Sequence, residues 1–201
     1  METESTEDTG RVSLREMQKR NSRAHFLSIA AELFAERGYR GTTIDDIAAA
    51  AGASRATLYS YFPGKDAIVK AIVTQVWDAA EALYADFGAL DEWSTDAIAG
   101  WLERVVRTWE QSGSGLRVQS SGAVPFDEFY LEYHGRFIAA LTANSDLWSR
   151  FDDDEQQRRA LLLISGLELF LNTWMVRGWP MDRAGAITTL TDSWCAILRV
   201  E

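Results

Sequence analysis

Several things are scarce in this chain of 201 residues. Its single cysteine, Cys195, cannot form an intramolecular disulfide and has no His or Cys at metal-ligand spacing. The run Asp152-Asp153-Asp154-Glu155 suits the start of a helix, where carboxylates favour the positive end, better than a cation cluster. No metal and no cofactor is therefore expected. The two histidines, His25 and His134, are far apart, and neither a Gly-x-Ser-x-Gly nor a phosphate-loop pattern occurs. Hydrolase or nucleotide-dependent chemistry is poorly served, and no enzymatic activity is expected. No uninterrupted apolar run reaches the roughly 18 residues of a membrane span. The longest apolar segment, Ala160 to Trp174, is broken by Ser165, Glu168 and Asn172, and the opening METESTEDTG is too acidic for a signal peptide. A cytoplasmic protein without a membrane segment is the expectation.

Only three prolines, at 63, 125 and 180, interrupt a composition that is 47% hydrophobic. That suits a mostly helical chain with ample core material. The net charge of −10 is unevenly spread. Residues 11–70 carry ten Lys or Arg against six Asp or Glu, whereas residues 71–201 contain no lysine and twice as many acids as arginines. A local basic patch still attracts phosphate, because screening confines charge effects to roughly 8–10 Å at physiological salt.

Residues 1–12 lack apolar periodicity and read as a disordered acidic tail. Helical spacing begins at Ser13: Phe26, Ile29, Ala30, Leu33 and Phe34 share one face. Gly38 is placed to cap that helix in a left-handed conformation. Thr43 stands at an N-cap before a short helix at about 44–51, Gly52-Ala53 makes a tight turn, and Ser54 caps a second short helix at about 55–61. Pro63-Gly64 breaks it, and a long helix follows from Lys65 to Phe87. Further helices are expected near 94–111, 126–143, 154–177 and 181–199. Ser112-Gly113-Ser114-Gly115 reads as a flexible connector, and Leu116 to Val124 is ambiguous. The fold class is all-α, with a three-helix domain at 13–64 and a helical bundle at 65–201.

Two short helices joined by a glycine turn and packed on a third form a helix-turn-helix, whose second helix can lay its N-terminal residues in the major groove. That second helix presents Ser54, Arg55, Ala56, Thr57, Tyr59, Ser60 and Tyr61, with Leu58 turned to the core. The run Thr42-Thr43-Ile44-Asp45-Asp46-Ile47-Ala48, then Ala51-Gly52-Ala53-Ser54, then Thr57-Leu58-Tyr59-Ser60-Tyr61-Phe62-Pro63-Gly64-Lys65-Asp66 resembles the TetR family of repressors. The preceding Ala30 to Tyr39 also fits the family pattern, so the resemblance covers about fifty residues. It implies a homodimer on double-stranded operator DNA, released by a small apolar or aromatic effector. The resemblance places phosphate contacts at Thr43, Thr57, Tyr61 and Lys65, and a base or phosphate contact at Tyr59. Arg55 can donate two hydrogen bonds to the O6/N7 edge of guanine, and Ala56 or the Thr57 methyl can meet a thymine methyl. Arg15, Lys19, Arg20 and Arg23 form a basic arm suited to further backbone contacts.

All eight tryptophans follow residue 70, which favours an aromatic effector pocket in the second half. Trp101, Val105 and Trp109 recur on one helix face and Phe129, Tyr133 and Phe137 on another. Ser165, Glu168 and Asn172 form a polar stripe in an apolar segment that also holds Trp174. The expected ligand-binding residues are Trp101, Val105, Trp109, Phe129, Tyr133, Phe137, Glu168, Asn172 and Trp174. A carboxylate among aromatics would suit a lipophilic cation. Leu162, Gly166, Leu169 and Thr173, with Ile187, Leu190, Trp194 and Ile197, are expected to form a four-helix dimer seam. A helical ligand-binding protein without DNA function is the alternative reading.

Overall fold

The computed structural model describes residues 13–121 and 127–200, apart from the side chains of 127–129. Among the described residues all regular structure is helical: α1 (Leu14–Arg37), α2 (Ile44–Ala50), α3 (Arg55–Tyr61), α4 (Lys65–Gly88), α5 (Thr95–Gln111), α6 (Gly113–Ser120), α7 (Asp127–Leu141), α8 (Ser145–Trp148), α9 (Asp153–Leu171) and α10 (Arg183–Leu198). A π-helical turn, Asn172–Val176, continues α9. The expected tail at 1–12 lies outside the described residues.

The N-terminal unit closes around Phe26, Ala30, Leu33 and Phe34 of α1, Ile47 and Ala48 of α2, and Leu58 of α3, all buried. Gly52, at φ +63°, makes the turn between α2 and α3, a backbone region that glycine enters without strain. Gly38 also has positive φ, but its ψ of 162° takes the chain away from α1 rather than into the left-handed helical cap expected.

α4, about 36 Å long at 1.5 Å per residue, belongs to both halves. Its first turns bury Ile68, Val69, Ile72 and Val73, and its later turns bury Trp77, Tyr84 and Phe87. Those later side chains meet α5, α7 and α10. Trp101 lies 4.6 Å from Trp194 and 5.0 Å from Phe87, ring centre to ring centre.

Two expectations change here. The Gly-Ser stretch at 112–115 is not a flexible connector; residues from Gly113 onward form α6, wedged against α1, α4 and the π turn. The glycine serves close approach, because a Cβ at Gly115 would sit 2.9 Å from Val76 Cγ2. On α10, Ile187, Leu190 and Trp194 are buried inside the protomer, where the helix packs on α5. They are core residues, so the outward stripe of α10 is instead Gly185, Thr189, Asp192 and Ala196.

α9 has three distinct faces. Ala160, Leu163, Ile164, Leu167 and Leu171 enter the core. Ser165, Glu168 and Asn172 border a cavity. Leu162, Gly166, Leu169 and Thr173 lie on the remaining side, where Leu162 and Leu169 are 58% and 68% exposed and Leu169 also reaches the cavity edge. With apolar side chains on two faces, Asp153–Val176 is long and apolar enough, by length and composition alone, to cross a membrane. A search for uninterrupted apolar runs misses this property.

Candidate nucleic-acid interface and effector cavity

Within residues 42–66 the side chains of Thr43, Asp45 and most of α3 are exposed. Thr43 caps α2 reciprocally: its N–H and hydroxyl donate to the Asp46 carboxylate at 2.8 and 2.6 Å, and the Asp46 N–H donates to Thr43 Oγ1 at 3.1 Å. Those hydrogen bonds, from the Thr43 side chain first and its backbone second, hold the Asp46 carboxyl below its ordinary value. Thr43→Ala is expected to cost about 1 kcal/mol of stability, as loss of an N-cap does, readable in chemical denaturation. Ser54 caps α3 by accepting the Thr57 N–H at 3.0 Å, and the Ser60 hydroxyl donates to the Thr57 carbonyl at 2.6 Å.

Leu58 is the buried anchor of α3, whereas Ser54, Arg55, Ala56, Thr57, Tyr59 and Ser60 are exposed. Arg55 Nη1 lies 3.2 Å from Asp45 Oδ2, and its guanidinium stacks 5.6 Å from the Tyr59 ring centre. Tyr61 is half-buried, its ring edge-on to Phe26 at 5.1 Å. The first turns of α1, with Arg15, Lys19 and Arg20, are exposed, and Arg23 lies over the Phe62 ring at 5.1 Å.

Lys65 has a structural task that sequence reasoning missed. Its ammonium donates to the carbonyls of Tyr39 and Thr42 at 2.7 and 2.8 Å and lies 4.1 Å from the centre of the Tyr39 ring. Two of its three donors thus close the loop between α1 and α2. The Tyr39 hydroxyl in turn donates to Asp66. That hydrogen bond, then burial and the charge of Asp66, push the Tyr39 pKa up to about 12.

The second half contains a cavity of about 370 Å³ between α4, α5, α6, α7 and α9. Val76, Trp77, Ala80, Leu83, Trp109 and Leu116 give it apolar walls. Ser165 and Glu168 of α9 and Asn172 of the π turn, one polar stripe, all border it, with Ser112, Gln119, Ser120 and Tyr130. Asn172 Nδ2 donates to Ser120 Oγ, tying the π turn to α6 across this space. An adjoining crevice of about 20 Å³ shares Trp109 and Glu168 with it and reaches Tyr84, Trp101 and Val105.

Of the ligand residues expected from sequence, Trp109, Glu168 and Asn172 line the cavity, and Trp101 and Val105 the crevice. Tyr133 and Phe137 form a layer behind the wall. The Tyr133 ring packs 4.8 Å from Trp77 and its hydroxyl donates to Asp78, while Phe137 packs 5.2 Å from Tyr84. Trp174 borders an outward apolar groove with Gly166, Leu169, Phe170, Trp179 and Met181. The Phe129 side chain lies outside the described residues. Periodicity could not separate wall from backing layer, since both are apolar faces. Trp77, Leu83 and Tyr130 were missed for the same reason.

His134 was not anticipated either. Behind Glu168, its Nε2 lies 3.1 Å from Glu168 Oε2 and its Nδ1 lies 2.8 Å from the Tyr130 carbonyl. Burial lowers its pKa, but the Glu168 hydrogen bond and charge and the Tyr130 carbonyl outweigh it, so the net shift is upward. A raised folded-state pKa contributes stability fully below the unfolded value, about 6.5, and loses it as pH rises through the folded value. The stability difference between wild type and Glu168→Gln should therefore shrink as pH rises through that window; thermal melts of both proteins measure it.

Residues 26–72 match the profile of bacterial regulatory proteins of the tetR family. The HTH-type transcriptional repressor KstR2 of Mycobacterium tuberculosis is 36% identical over 159 residues, covering 75% of this chain and 69% of that protein. KstR2 of Rhodococcus jostii is 42% identical over 71 residues, 35% of either protein's length. Among solved structures, a putative TetR-family regulator from Syntrophomonas wolfei superposes with a TM-score of 0.73 at 18% identity, covering 90% of this chain and 97% of that one. Exposed α3 on a buried Leu58, a matching profile over the same residues and a relative alike along two thirds of its length agree: the chain belongs to the TetR family of transcriptional regulators.

Proposed function

We propose that this regulator is a cytoplasmic, non-enzymatic repressor that grips a palindromic operator as a homodimer and lets go when a small apolar molecule enters the cavity bordered by α4, α5 and α9. The observation that carries this reading is the split character of α3. One side chain, Leu58, anchors it, and a polar tip of Arg55, Ala56, Thr57, Tyr59 and Ser60 stands in solvent. Such a tip matches major-groove edges, with Arg55 set for guanine and Thr43, Thr57, Tyr61 and the remaining Lys65 donor set for phosphates. The name repressor carried by the relatives supports the sign of regulation.

The outward stripe of α9 supports the homodimer, because apolar side chains this exposed favour a partner. Leu162 and Leu169 from two copies, with the small outward residues of α10, would make a four-helix seam. The dimer must then hold two α3 helices about 34–36 Å apart, one turn of DNA. α4 links the events, since Val76, Trp77, Ala80 and Leu83 line the cavity and Lys65 at its start closes the α1–α2 loop. An inducer must bind the DNA-incompetent state more tightly, by a few kcal/mol for a useful switch.

A gel shift against the duplex upstream of the protein's own gene tests the reading. Binding should be tighter than to scrambled duplex and should weaken steeply with salt as counterions are released. Equal binding to operator and scrambled duplex would remove the regulator's proposed operator.

A further inference from the structure

The charge balance of the cavity wall identifies the chemical class of the effector, an inference that rests on the proposed role of the cavity. Among the described lining residues there is no Lys, Arg, His or Asp, and Glu168 is the only ionisable group apart from the Tyr130 phenol. Its hydrogen-bond partner among the described residues is His134. The proton count in this pair follows from its geometry. The Tyr130 carbonyl can only accept, so His134 Nδ1, 2.8 Å away, carries a hydrogen. A bare Nε2 facing a carboxylate oxygen at 3.1 Å would set lone pair against lone pair. A further proton therefore sits between Nε2 and Oε2, whether bonded to the ring or to the carboxyl. In either state the pair has no net charge. Tyr130 stacks on the imidazole with ring centres 3.7 Å apart, an arrangement that also favours a protonated ring.

We infer that the effector is an uncharged, largely apolar molecule bearing a hydrogen-bond donor such as a hydroxyl, and that His134 excludes cations by neutralising Glu168. An ammonium placed against Glu168 would meet the His134 proton just behind it and lose most of its Coulomb gain. A carboxylate would meet the Glu168 oxygens. A hydroxyl donates to the carboxylate without disturbing the pair, and its oxygen can accept from neutral groups such as Ser165 or Gln119, which also line the space.

Three isosteric probes test this on the protein alone, without DNA: 1-pyrenemethanol, 1-pyrenemethylamine and 1-pyrenecarboxylate. Binding at pH 7 is read from energy transfer between the cavity tryptophans, Trp77 and Trp109, and pyrene. The alcohol should bind at least about tenfold tighter than either charged probe. In His134→Phe the carboxylate stands alone, and the amine should gain at least about tenfold relative to the alcohol. The wild-type ranking needs no variant, so the inference stays testable if His134→Phe fails to fold. A wild-type preference for the amine or the acid overturns the effector class while leaving the cavity as the ligand site. An unchanged ranking in folded His134→Phe overturns the role of His134. Failure of all three probes to bind overturns the cavity reading, and the effector class with it.

Discussion

Leu162→Asp is expected to leave the protomer folded and to abolish operator-specific binding. Leu162 is 58% exposed and belongs neither to the core face of α9 nor to the cavity lining. A carboxylate there meets water in the protomer, at little cost. In the proposed homodimer the same position loses about 1.5–3 kcal/mol of buried leucine from each copy and gains two carboxylates in a low-dielectric seam. The effect on DNA is larger than the effect on the seam. Specific operators are typically held at roughly 10⁻⁸–10⁻¹¹ M. A lone protomer reads one half-site with about half that free energy, which leaves it near the roughly 10⁻⁴–10⁻⁶ M of non-specific binding. Sedimentation should show a monomer with unchanged circular dichroism, and the gel shift should no longer distinguish operator from scrambled duplex. A dimer of undiminished strength, or a monomer with full operator affinity, contradicts the proposed seam.

Arg55→Ala is expected to cost about 1–3 kcal/mol for each half-site and to relax selectivity at one base pair in each. In the free protein Arg55 is tethered to Asp45 at 3.2 Å and stacked on Tyr59. Both ends of the ion pair are more than 60% exposed, so water screens the tether and it holds the guanidinium only loosely. In the proposed complex it gives way to a guanine that offers two acceptors. Arg55→Lys should not rescue selectivity, because an ammonium lacks the planar pair of donors. Non-specific affinity should change far less than operator affinity. Unchanged selectivity in a competition gel shift would remove Arg55 from base recognition.

Local signals were legible where one residue type has one local use. Thr43 and Ser54 at N-caps, Gly52 at the turn and the apolar anchor Leu58 located α2 and α3 to within a residue. The polar stripe Ser165, Glu168 and Asn172 stood out as groups whose burial in an apolar helix needs partners, and it borders the cavity. Other elements carried no comparable mark. Gly113 and Gly115 read as flexibility, but only the nearness of Val76 shows that Gly115 permits packing. The stripe Ile187, Leu190 and Trp194 announced burial without naming the partner, which is α5 of the same protomer. Lys65 and His134 owe their roles to carbonyls and carboxylates brought near by the tertiary fold, from residues 23 or more positions away in the first case and 34 in the second. No local pattern encodes such contacts.

Selection of bound sequences from a random duplex library, run in parallel on wild type and Arg55→Ala, shows whether two α3 helices read one duplex. The expected product is an inverted repeat whose half-site centres lie about 10 base pairs or a multiple apart, with a guanine preference in each half-site that fades in the variant. Absence of any enriched motif, or an asymmetric one that the substitution leaves untouched, would contradict the assignment of α3 as a paired reader of the duplex.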